Sequence, residues 1–272
     1  MYRYINNSQK QGFTLVEMSI VIIIIGLLIA GVAAGTSLIE QAKLNSVVVD
    51  FRNHEVAYYS FISKYGQPPG DFNSGALYWP NTCVTDNDPT YCNGNGDGVI
   101  STINLDEQRM AWKHLSLAGL ISNGFAALPD DAGSEFSASF PPSKVEGAYY
   151  TFEQAGNNGV TSGHISSIWP DAPNQNALYI AKPSGIFASF GGPTVVPNLG
   201  ALAPQEAFSL DNKLDDGTVS SAGDFIGATT GQVRSKDDGT SAASPCVTVA
   251  NNNIYNVSGD KATCIFSQLL TN

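Results

Sequence analysis

The sequence predicts an α+β protein: a long N-terminal helical spine, transmembrane in its lower half, packed on a globular head with an antiparallel sheet. Three observations predict it. After Glu17 no charged residue occurs until Glu40, which leaves 22 uncharged residues. No proline occurs from Met1 to Gln67, and apolar residues recur at helical spacing as far as Tyr65. Beyond Pro68, short apolar segments are punctuated by Gly, Pro, Asn and Asp, the pattern of strands and turns.

The chain has 272 residues, enough for a packed core. Charged residues are 14%, below the roughly 25% of an average soluble domain, so the surface is polar but sparsely charged. The net charge of −11 repels phosphate backbones, and the 13 Lys and Arg are scattered. General nucleic-acid binding is therefore excluded.

Residues 1–12 form a polar leader with Arg3 and Lys10 and no acid. The uncharged stretch that follows Glu17 includes Ile20–Ile29 and is long enough to cross a bilayer as a helix. The basic residues precede it, so the leader stays in the cytoplasm and the C-terminal bulk is translocated. Two plainer readings compete: a secretory signal cut near Ala30–Gly35, and a simple membrane anchor. Neither explains Glu17, because a carboxylate at the head of a membrane helix is costly without a partner.

Gly12-Phe13-Thr14-Leu15-Val16-Glu17, behind a basic leader and before an apolar helix, resembles the class III leader of type IV prepilins and type II secretion pseudopilins. The resemblance covers roughly residues 1–65. It implies that a prepilin peptidase cuts between Gly12 and Phe13 and methylates the Phe13 amine. It also implies that Glu17 of one subunit neutralises the Phe13 amine of its neighbour, an assembly role for Phe13 and Glu17. Pairing two charges that would each be costly at low dielectric sets the register between subunits. Gly31 and Gly35 form a G-x-x-x-G pair that permits close helix approach, or are simply small residues.

The helix is expected over residues 13–65, with Leu44, Val48, Phe51, Tyr58, Ile62 and Tyr65 as its apolar stripe and Lys64–Gly70 as its stop. Residues 66–272 form the head, expected to be a pilin-like roll. Within it, residues 66–100 read as a long loop. One helix starts at Asn104–Glu107, carries Met110, Ala111, Leu115 and Ala118, and ends at Gly119. A second runs from Pro204 through Leu214 to Asp216-Gly217. Strands are expected at Gly147–Gln154, Ala177–Lys182, Gly185–Phe190, Cys246–Ala250 and Lys261–Phe266. Gly70-Asp71-Phe72, Asn93–Gly98, Trp112–Ile121 and Asp211–Gly217 are similar to segments shared by a group of large prepilin-like proteins. That similarity implies no defined activity.

The four cysteines form no C-x-x-C pair, and two disulfides suit a translocated head. Of three connectivities, Cys83–Cys92 with Cys246–Cys264 closes the shortest loops. Asn93, Asn95, Asp97, Val99 and Ser101 fall at alternate positions around Gly98, like the first part of an EF-hand loop. The loop reads either as a Ca2+ site, with charge added by Asp86, Asp88, Asp106 or Glu107, or as a disulfide-pinned Asx/Gly turn. Asp211, Asp215 and Asp216 read as a helix end, with a bridging cation as the alternative. Enzyme motifs are absent: His54-Glu55 is followed by Tyr58 where a zincin helix needs histidine. His114 and His164 carry no catalytic pattern, and Trp79, Trp112 and Trp169 read as packing.

The expected function is non-enzymatic: a structural subunit of a type IV pilus-like filament, processed by prepilin peptidase. It is assembled from the inner membrane by a platform there, with its head in the periplasm and then on the filament. A type II secretion pseudopilin and a membrane-anchored periplasmic enzyme or binding domain are the alternatives.

Overall fold

The computed structural model describes residues 12–83, 92–101, 105–122, 139–156, 168–169, 171–172, 174–183, 197–215, 217–219, 225–227, 229–237, 245–248, 251–259 and 261–271. The leader's Arg3 and Lys10, the expected strand Gly185–Phe190, and His164, Asp86, Asp88 and Asp216 lie outside them.

Helix α1 runs unbroken from Leu15 to Tyr65. It stops where Gly66 takes a φ of +77° and returns its N–H to the Ile62 carbonyl at 2.7 Å; Pro68 and Pro69 follow. The chain divides into two compact units, residues 1–43 and 44–272, and α1 contributes to both. In the first unit its side chains are exposed. In the second, Leu44, Val47, Phe51, Ala57, Tyr58 and Phe61 are buried. The buried face is thus turned slightly from the expected stripe: Val47 and Phe61 are buried, while Val48 and Ile62 lie at its margin. Phe61 stacks there on His114 at 5.7 Å and meets Phe72 edge-on at 5.8 Å, while Phe51 meets Tyr150 and Phe266 edge-on at 5.6 and 5.5 Å.

The main sheet has strands β1 (Tyr149–Ala155), β2 (Gln175–Pro183), β3 (Pro197–Leu199), β6 (Val233–Asp237) and β9 (Cys264–Leu270). They run in the order β1-β2-β9-β6, with β3 paired to the end of β2 beyond a register shift at Lys182/Pro183; every pairing is antiparallel. Its residues alternate between two cores. Tyr150, Phe152, Leu178, Ile180 and Phe266 face α1. Ala155, Ala177, Tyr179, Ala181 and Ile265 face Ile168, Trp169 and Ala172 on the other side. Trp169 is fixed there by its N–H to Ser267 Oγ at 3.0 Å and by the Arg234 guanidinium 4.3 Å over its ring. Arg234 also grips Asp171 through two bonds of 2.6 and 2.9 Å.

A second, smaller sheet orders β4 (Thr218–Val219), β5 (Phe225–Ile226), β8 (Asn251–Tyr255) and β7 (Val247–Thr248) as β4-β5-β8-β7. Strands β3, β4, β5, β6 and β8 were not expected. Strand β6 shows why: Val233-Arg234-Ser235-Lys236-Asp237 carries one aliphatic residue, and its pairing with β9 makes it a strand. The expected loop 66–100 contains two single-turn helices, α2 (Gly75–Tyr78) and α3 (Pro80–Cys83). Helix α4 covers Leu105–Leu117 and is closed by Gly119 at φ +72°. Helix α5 covers Pro204–Leu214, with Glu206 accepting the Ala203 N–H at 2.8 Å.

Disulfides join Cys83 to Cys92 and Cys246 to Cys264, with Cα atoms 4.9 and 5.0 Å apart. The first ties α3 to the 93–101 loop. The second ties the start of β7 to the start of β9.

Candidate functional site

The first site is the head of α1. Gly12, Phe13 and Thr14 precede the helix, and Thr14 caps it. The Thr14 N–H and hydroxyl donate to one Glu17 carboxylate oxygen at 2.8 and 2.9 Å, and the Glu17 N–H returns to Thr14 Oγ1 at 3.2 Å. This reciprocal pair satisfies N–H groups that helix geometry leaves unpaired. In the sequence Thr14 stands only as one residue of the leader motif, with no capping role, although the spacing Thr-x-x-Glu before an apolar run carries that signal.

Every large apolar side chain from Phe13 to Ile39 is at least 44% exposed. The helix holds a window of mean hydropathy 2.8 with none of it buried, so it is long and apolar enough to cross a membrane. A Cβ added at Gly12, Gly26, Gly31 or Gly35 would meet nothing within 4 Å. Packing inside this chain therefore does not demand glycine at any of the four. Residues 7–33 match the family model for the prokaryotic N-terminal methylation motif. That motif supports a type IV prepilin- or pseudopilin-like family. The motif supports a prepilin-peptidase substrate such as a pilin or a pseudopilin, a family that is structural rather than catalytic. No curated protein and no solved structure matches the chain.

The second site is the 93–101 loop of the head. It is wound around Asp71, which is fully buried. Asp71 Oδ1 accepts the N–H groups of Gly96 and Asp97 at 2.6 and 3.0 Å, and Oδ2 accepts that of Gly98 at 2.8 Å. Gly96 and Gly98 reach these positions with φ of +78° and +92°. Glu107, on α4, holds the same loop from a second side, accepting the Ser101 N–H at 2.7 Å and the Asn95 N–H at 3.4 Å. The candidate ligand oxygens are engaged locally. Asn93 Oδ1 accepts the Ala76 N–H, Asn95 Oδ1 that of Asp97, and Asp97 Oδ1 that of Val99, at 2.9, 2.8 and 3.1 Å.

Three carboxylates therefore share this corner. Burial pushes Glu107 up to about 7, and the charges of Asp71 and Asp97 push the same way. Burial also raises Asp71, against its three backbone donors. Among the described residues, no three His, Cys, Asp or Glu side chains group closely enough to hold a metal ion. Asp71 was legible only as part of the Gly-Asp-Phe segment; its role depends on a contact 25 residues away.

His114 sits beside this corner as a connector. Its Nδ1 accepts the Gly70 N–H and its Nε2–H donates to the Cys92 carbonyl, both at 2.9 Å. Its ring stacks on Phe61 at 5.7 Å and on Trp79 at 5.6 Å. Burial holds it down to about 4, so it is neutral at ordinary pH. His54 is likewise depressed to about 4 by burial, between Trp112 and Tyr150. Trp112 and Trp169 are wholly buried, and Trp79 packs at the edge of the core. In the second acidic cluster, Asp211 is buried and accepts the Tyr255 hydroxyl at 2.9 Å. Asp215 accepts the N–H groups of Gln232 and Val233 at the start of β6. Both act as anchors between α5 and the sheets.

Proposed function

We propose that the mature chain is a structural subunit of a type IV pilus-like filament. Prepilin peptidase cuts between Gly12 and Phe13 and methylates the new Phe13 amine. The subunit waits in the inner membrane with its head in the periplasm, and an inner-membrane platform then draws it into the filament. The observation that supports this reading is the exposed apolar half of α1, most of which lies within the methylation motif. Lipid covers that surface before assembly, and the helices of other subunits cover it afterwards.

Glu17 gives the assembly step its chemistry. In the uncut chain Thr14 satisfies one carboxylate oxygen but supplies no countercharge. A neighbour's Phe13 amine supplies it, and two charges at low dielectric are tolerated only when paired. Glu17→Ala is expected to insert in the membrane normally and to give a much lower yield of sheared filaments. A normal yield from that variant would remove Glu17 from the assembly step. A type II secretion pseudopilin shares these N-terminal residues; surface filaments at native expression level separate the pilus from it.

A further inference from the structure

The 93–101 loop holds two Asn-Gly pairs, Asn93-Gly94 and Asn95-Gly96. An asparagine before glycine loses ammonia when the next backbone nitrogen attacks its side-chain amide carbon, since glycine has no Cβ to obstruct the approach. The step is helped by a base on the attacking nitrogen and by a donor to the carbonyl oxygen as it becomes an oxyanion. The two pairs differ in both respects.

At Asn95-Gly96 the Gly96 N–H is shared between a carboxylate, Asp71 Oδ1, at 2.6 Å and the more distant Asp71 carbonyl at 3.1 Å. Asn95 Oδ1 already accepts the Asp97 N–H at 2.8 Å, which folds the side chain back along its own backbone in an Asx turn. Asn95 and Gly96 are exposed, so water reaches them. At Asn93-Gly94 the Gly94 N–H donates to a backbone carbonyl, that of Phe72, at 2.9 Å. Asn93 Oδ1 is drawn away to the Ala76 N–H at 2.9 Å.

We propose that Asn95 is a self-modification site, with Asp71 as its general base. The Gly96 nitrogen attacks Cγ of Asn95 while Asp71 Oδ1 takes its proton. The N–Cγ bond forms, and the Asp97 N–H holds the negative oxygen. Asp71 then returns the proton to the leaving nitrogen, the Cγ–Nδ2 bond breaks, and ammonia departs from a five-membered imide. Water opens the imide to aspartate or isoaspartate at position 95. Water is the sole co-reactant, and no group is oxidised or reduced. Each event adds one negative charge beside Asp71, Asp97 and Glu107. The inference stands apart from the filament reading, because it concerns the head alone.

The test uses the full chain purified in detergent, aged at mildly alkaline pH and sampled by peptide mapping. The mass gain of amide-to-acid conversion is read separately at positions 93 and 95, and isoaspartate is assayed at both. Conversion at Asn95 is expected to outrun that at Asn93 by at least about tenfold, below the full effect of a well-placed base. Asp71→Asn is expected to bring the Asn95 rate down toward that of Asn93. Equal rates at the two positions in the wild type would overturn the proposal, as would an unchanged Asn95 rate in a folded Asp71→Asn chain. Should that variant not fold, the wild-type ratio decides alone.

Discussion

Glu17 and Thr14 tie each other down at the start of a helix that has no other charged side chain until Glu40. Thr14→Ala removes one side of that cap, at a cost of about 1 kcal/mol to the first turn. Amide exchange at Glu17 in detergent is expected to quicken about fivefold in that variant; an unchanged rate would show that the cap does not order the helix start. His114 offers a second residue-scale test, through pH. Its folded value near 4 lies below the ordinary 6.5. Protonation would set an N–H of the ring against the Gly70 N–H. The stability this neutral ring contributes is fully present above pH 6.5 and is lost as pH falls through 4, by about 3 kcal/mol in all. His114→Gln should therefore melt lower than the wild type at pH 7 and show a shallower fall between pH 6.5 and 4. Equal slopes would contradict the burial of His114. Gly12, Phe13 and Glu17 were legible because they lie within six consecutive residues. Asp71 and His114 were not, because their partners lie 25 to 27 and 22 to 44 positions away.

Among the elements, local signals mark α1, α4 and α5 but miss the single-turn α2 and α3 and five of the nine described strands. Pro204 with Glu206 marks α5, and Gly119 marks the end of α4, since each acts through the backbone of its own turn. Strands β3 to β6 and β8 are short or polar and take their state from neighbours, which no single segment encodes. The disulfide Cys246–Cys264 joins β7 to β9 across a separation of 18 residues, a closure worth on the order of 3 kcal/mol in the chain-entropy model. Cys246→Ser should lower the melting point of the head and reduce surface filaments while cleavage of the leader continues. A full-strength head in that variant would mean that β7 and β9 hold without the bond. Calcium binding by the 93–101 loop is a proposal of the same scale. Melting of the full chain in millimolar Ca2+ and in chelator tests it, with Asp97→Ala as the control. A calcium-dependent rise that the variant loses supports the site, and identical melting points remove it.

The whole molecule assigns different tasks to its two units. Residues 44–65 of α1 pack on the sheet, so the head needs that part of the helix for its core. Phe51 is wholly buried between Tyr150 and Phe266. Phe51→Ala should destabilise the head by about 3–5 kcal/mol and leave processing at Gly12 intact, read by denaturant melts beside a cleavage assay. Residues 15–39 present an apolar surface to whatever surrounds them. The division between exposed and half-buried helix was legible from charge alone, which is absent from residue 18 to residue 39 and returns at Glu40. On the proposed reading this chain is cut and methylated ahead of its apolar helix. Mass spectrometry of the mature amino terminus tests it most directly. The expected mature chain begins with N-methylated Phe13; a mature terminus near Ala34, or an uncut chain beginning at Met1 in cells with an active prepilin peptidase, would overturn that reading.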